Sequence, residues 1–208
     1  MGRISDLEYC KRYQQASAHG PLSGAREFMS LDVRRWGFMH MVRPNNLRKE
    51  YPEVTFHHHY LHDLESVYWL LIWYMVSHAP HKEGVPRVID HVSWAKLVDD
   101  LFGTGIDSQE PTVHWNNQSV TCTAMMNFWD DQDSLEGVCD ILNLPVLFKK
   151  EYGTLQTAEQ TECGETRWPD RVFTEGLYIA FEKAVNEALK SVPSDCQWLP
   201  LWDSLSSQ

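Results

Sequence analysis

The sequence predicts a mainly α fold wrapped around one buried central helix. Val67 to Val76 are ten apolar residues in a row, VYWLLIWYMV, introduced by the polar His62-Asp63-Leu64-Glu65-Ser66. Such a run is about half the roughly twenty residues a membrane span needs, and a helix apolar on every face has to be surrounded by other elements. Apolar residues recur at helical spacing in further segments, and strand patterns amount to one short hairpin at most. Nine Trp, eight Tyr and eight Phe supply a core and exclude global disorder.

Taken in order, Arg3 to Tyr13 reads as a short strand entering a turn. Gln14 to Ser30 is small and polar, with Gly20-Pro21 and Gly24 as breakers, and reads as a loop. Leu31 to Val42 suits a short helix with Trp36 and Phe38 inward, ended by Pro44, and Asn45 to His59 is irregular. The central helix is placed at Tyr60 to Ser77, closing before Pro80. Ser93 to Phe102 sets Trp94, Leu97, Val98 and Leu101 at helical spacing, with Gly103 as a stop.

Residues 103–132 are weakly patterned and read as an irregular insertion. Asp133 with Glu136 fits a capping box for a helix carrying Leu135, Val138, Cys139 and Leu142, stopped by Pro145. Residues 151–171 are polar and read as a second irregular, mobile insertion. Phe173, Leu177, Phe181, Ala184 and Ala188 mark a last helix over 172–191, ended before Pro193. The whole of 1–208 is read as one domain without internal repeats.

Charge and cysteines narrow the function class. The net charge is −11, while the first fifty residues carry nine Lys/Arg against five Asp/Glu. An acidic whole argues against nucleic-acid binding, and the basic front reads as a solvated surface. Cys10, Cys122, Cys139, Cys163 and Cys196 are odd in number and widely spaced, with no C-x-x-C pair. That pattern speaks against a disulfide framework and a thiolate zinc site, and Cys10 and Cys139 suit small core positions. With neither a signal peptide nor a spanning segment, an intracellular, soluble protein (cytoplasmic or nuclear) is expected, with no membrane partner.

Three segments, in order, carry a family resemblance. Ile4-Ser5-Asp6-Leu7-Glu8-Tyr9-Cys10-Lys11-Arg12-Tyr13 looks like the strand and metal loop written I-D-F-G-L-A-K-K-Y. Ser23-Gly24-Ala25-Arg26-Glu27-Phe28-Met29-Ser30 is similar to the end of an activation segment, T-G-T-x-x-F-M-S. His62-Asp63-Leu64-Glu65-Ser66 with its apolar run resembles the start of the buried helix F. Together they resemble the fungal-type protein kinases, with casein kinase I a more distant likeness, over about the first eighty residues.

The resemblance implies a protein-kinase-like C-terminal lobe built around helix F, its N-terminal lobe absent. The family's glycine-rich loop, strand lysine, glutamate partner and catalytic-loop Asp and Asn precede the aspartate matching Asp6, and five residues cannot supply them. Asp6 takes the magnesium position as a vestige. Gly24, Ala25, Phe28, Met29 and Ser30 form the activation-segment remnant. Two departures stand out: Glu8 replaces the glycine after the metal-binding position, and Ala25 replaces a threonine hydroxyl. Asp63, Glu65 and Ser66 take structural roles, Asp63 in capping and in compensating the helix dipole.

The expectation is therefore a truncated, pseudokinase-like protein with no intact catalytic set. No cofactor is expected, ATP and Mg entering only with a missing upstream half. A protein partner or self-association would cover the central helix. The rival is the C-terminal half of an active Ser/Thr kinase. A weaker rival, a metal-binding helical protein, rests on His57, His58, His59 and His62, where His58 and His62 stand four apart. His59 occupies the place of the glutamate in H-E-x-x-H, so the plainer reading is a polar entry to the helix.

Overall fold

The computed structural model describes residues 28–35, 60–82, 90–102, 115, 117–126, 138–155, 175–191 and 196–200. Most of these residues are helical, in agreement with a mainly α fold. The elements are α1 (Leu31–Arg35), α2 (Tyr60–Ser77), β1 (His78–Lys82), α3 (His91–Phe102), α4 (Gln118–Met126), α5 (Leu144–Leu155), α6 (Gly176–Ser191) and β2 (Cys196–Pro200). Residues 138–142 add a helical turn before α5.

Helix α2 has the predicted bounds and forms the centre of the core. Tyr68 and Trp69 meet Trp115 at ring-centroid distances of 5.6 and 5.9 Å, and Tyr68 also meets Phe148 of α5 edge-on. Trp73 meets Phe102 of α3 at 5.2 Å in an edge-to-face arrangement, a geometry the ring quadrupoles favour. Phe28 packs on both Trp73 and Phe102. The expectation of a helix enclosed on all sides holds for only part of its surface. Val67, Leu70 and Tyr74 are 44, 47 and 44 % exposed. Their i, i+3, i+7 spacing puts them on one stripe.

Local chemistry sets the helix ends. Asp90 caps α3 through Oδ1, which accepts from Val92 N and Ser93 N at 3.1 and 3.2 Å, and through Oδ2, which accepts from Ser93 Oγ. The helix therefore starts at His91, ahead of the predicted Ser93. Trp94 Nε1 donates to Val76 O at 2.6 Å, satisfying a carbonyl at the end of α2 and fixing α3 against it. In α6 the predicted face is the buried one: Leu177, Phe181, Ala184 and Ala188 all point inward.

Three expectations are corrected. Within 103–132, expected to be irregular, Gln118–Met126 is helical and Trp115 is fully buried. Pro145 does end one helical turn, but it also stands in the first turn of the next helix. Its missing N–H costs nothing at that position. As a result α5 runs on to Leu155, into the 151–171 stretch expected to be irregular. The strands are not a local hairpin either. β1 follows α2 directly and pairs antiparallel with the distant β2, His78 opposite Pro200 and Lys82 opposite Cys196. The predicted strand at Arg3 to Tyr13 lies outside the described residues, as do Trp36 and Phe38.

Candidate functional site

His62, Glu65 and Trp69 stand at i, i+3 and i+7 on α2, so the helix turns one polar stripe into the core. Glu65 is fully buried and accepts three hydrogen bonds from three parts of the chain. Leu31 N at the start of α1 donates to Oε1 at 2.8 Å. Trp69 Nε1 donates to the same oxygen at 3.1 Å, and Tyr152 OH of α5 donates to Oε2 at 2.5 Å. One side chain thus joins α1, α2 and α5.

Burial dominates the electrostatics. It pushes the Glu65 carboxyl up to about 7, against the three donors, which pull it down; nearby Asp32 adds to the rise. The Tyr152 phenol is held well above its ordinary range by burial and by Glu65, Asp32 and Asp63. Beside them His62 Nε2 lies 3.4 Å from Asp32 Oδ2, both side chains wholly buried. Their charges, when present, offset one another away from water.

The segment leading into α1 is fixed on this cluster. Ser30 Oγ accepts from Val33 N at 3.4 Å as the helix cap, and Arg34 N donates to Ser30 O. Arg34 Nε donates to Met29 O at 2.8 Å while its guanidinium sits 5.1 Å from the Trp69 ring centroid, a cation–π contact. Phe28, Met29 and Ser30 of the predicted remnant are therefore docked onto α2. Gly24, Ala25 and Asp6 lie outside the described residues.

The other predicted positions divide. Asp63 is exposed and stands within the first turn of α2, which begins at Tyr60, so it is placed for dipole compensation and not at the cap position. Ser66 Oγ donates to His62 O at 2.8 Å within the helix. His57, His58 and His59 lie outside the described residues, whereas His62 faces the Asp32 pair. Among the described residues no three His, Cys, Asp or Glu side chains gather as a metal site. No helix of these residues is long and apolar enough to cross a membrane. What the cluster does chemically is to hold a carboxyl away from water with its oxygens hydrogen-bonded, which ties α1, α2 and α5 together.

Residues 1–75 match the family described as fungal protein kinase. The matched stretch contains all three motif segments and ends inside α2, one residue short of Val76. No curated protein and no solved structure matches the chain, so the casein kinase I likeness finds no counterpart there. Within the matched stretch lie Ser30, Asp32, His62, Glu65 and Trp69; Tyr152 and Trp115 lie beyond it. The part of the chain beyond the match thus supplies the third donor to Glu65 and an indole stacked on Trp69.

Sequence reasoning named Glu65 but missed its partners. Asp32 and His62 carry no motif that announces a buried pair. Tyr152 had a signal: Leu144, Phe148 and Tyr152 recur at i, i+4 and i+8, all buried. Reading Pro145 only as a stop hid that period.

Proposed function

We propose that this is a fungal-kinase-like chain whose 208 residues serve as a binding or regulatory scaffold and do not themselves bind ATP or transfer phosphate. The observation that carries this reading is the use of Glu65: the polar side chains gathered on helix α2 are spent on internal bonds that hold the activation-segment-like end in place. The sequence supports it. The 208 residues contain no H-x-D-x-x-x-x-N pattern, Glu8 stands where a glycine follows the metal position, and Ala25 replaces a hydroxyl. Phosphoryl transfer rests on positioning and on neutralising the γ-phosphate, and Asp6 without phosphate oxygens is a poor magnesium site. A protein partner or a second copy would bind over Val67, Leu70 and Tyr74, where α2 is open.

Thermal-shift titration with Mg-ATP tests the reading. No saturable rise in melting temperature is expected. A saturable rise that Asp6→Ala abolishes would refute it and favour the C-terminal half of an active Ser/Thr kinase.

A further inference from the structure

Two of the five cysteines meet. Cys122 on α4 and Cys139 in the helical turn 138–142 bring their sulfurs to 3.5 Å, although they are 17 residues apart in the chain. Both are half-buried thiols. Each is held by packed neighbours: Thr121 and Met125 on one side, Val138, Ile141 and Leu142 on the other, are buried. The two sulfurs are therefore kept in contact by the core and not by a flexible tether. A disulfide has its sulfurs about 2.05 Å apart, so closure requires an approach of about 1.5 Å. Both residues lie beyond the stretch that matches the fungal kinases.

We propose that Cys122 and Cys139 form an oxidation-sensitive dithiol that closes to an intramolecular disulfide when a peroxide is present. One thiolate attacks a peroxide oxygen. The O–O bond breaks and, after proton transfer, leaves a sulfenic acid and one water. The second thiol attacks the sulfenic sulfur, the S–S bond forms and the hydroxyl departs with a proton as a second water. Two thiols are oxidised to one disulfide while one hydrogen peroxide is reduced to two waters. Partial exposure gives the peroxide access. The bond ties α4 to the turn that leads into α5, and so to the helix that carries Tyr152. A dithiol reductant reverses it.

The test uses the 208-residue chain, reduced, desalted and treated with equimolar hydrogen peroxide before alkylation and mass spectrometry. The expected product has lost two hydrogens, yields a cross-linked peptide joining Cys122 to Cys139, reverts with dithiothreitol and melts roughly 5–10 °C higher. Cys122→Ser and Cys139→Ser, checked for native far-UV circular dichroism, should each abolish that product. Should either variant fail to fold, wild-type protein oxidised in urea provides the control. Its cross-links should scatter over the five cysteines, while the folded chain gives the one pair. Folded protein that instead pairs other cysteines, accumulates sulfinic acid, or leaves both thiols fully alkylatable after peroxide would overturn the proposal.

Discussion

Tyr152 donates its phenolic proton to Glu65 at 2.5 Å across 87 residues of sequence. That bond joins α5, outside the stretch that matches fungal kinases, to the helix on which the match ends. With Leu31 N and Trp69 Nε1 on the other carboxylate oxygen, it makes Glu65 the residue through which three elements are held in register.

Removing the carboxyl leaves three donors in the core without their acceptor. Each orphaned buried donor costs about 1–3 kcal/mol, so Glu65→Ala should lower unfolding free energy by roughly 3 kcal/mol or more. Glu65→Gln, which keeps one acceptor oxygen, should cost less. Urea unfolding monitored by tryptophan fluorescence measures both as midpoint shifts at constant slope. A loss below about 1 kcal/mol for Glu65→Ala would mean that the donors find water or other partners.

The raised Glu65 carboxyl has a consequence for pH dependence. Its folded value of about 7 lies above its ordinary 4.5, so the folded chain keeps the proton longer than the unfolded one. The contribution is full below pH 4.5, falls as the pH rises from 4.5 to 7, and is gone above that. Linkage makes the loss on the order of 3 kcal/mol. Asp32, His62 and Tyr152 face the same cluster and add slopes of their own. The informative quantity is therefore the difference between wild type and Glu65→Gln, which should narrow across this window. A constant difference from pH 4.5 to 7 would show that Glu65 does not titrate there.

The elements legible in the sequence were those with one unbroken signal. Tyr60–Ser77 was readable because an apolar run is bounded by polar residues and a proline, and Gly176–Ser191 because its buried face repeats at helical spacing. What failed was punctuation with two meanings and pairing at a distance. Pro145 ends one turn and begins the next helix, and reading only the first meaning lost α5 and with it Tyr152. The strands contain Pro80 and Pro200, which lower strand propensity, and each finds its partner only through the fold. The motif His62-Asp63-Leu64-Glu65-Ser66 marks Glu65, but its acceptor role depends on Leu31 and Tyr152, whose approach no local pattern encodes.

The open stripe of α2 predicts association behaviour. Leu70→Lys together with Val67→Lys should lower the apparent mass in light scattering, or reduce hydrophobic-dye binding, with little cost to stability, because both side chains are about half exposed. A wild-type chain that is a dye-silent monomer at high concentration would leave the stripe without an association role.

The histidines at the entry to α2 should hold no stoichiometric metal, since a closed zinc site needs four ligands and His62 faces Asp32. Elemental analysis after chelation and dialysis should find well under one equivalent. One equivalent of zinc, lost in His58→Ala, would contradict this.

Phosphotransfer itself is the deciding measurement. On the scaffold reading proposed above, the 208-residue chain, incubated with γ-labelled ATP, magnesium and a generic protein substrate, should transfer no label above the level of a heat-denatured sample, since phosphoryl transfer rests on positioning and neutralising the γ-phosphate. Label transferred in proportion to protein and time, and lost in Asp6→Ala, would contradict the scaffold reading and make this chain a kinase in its own right.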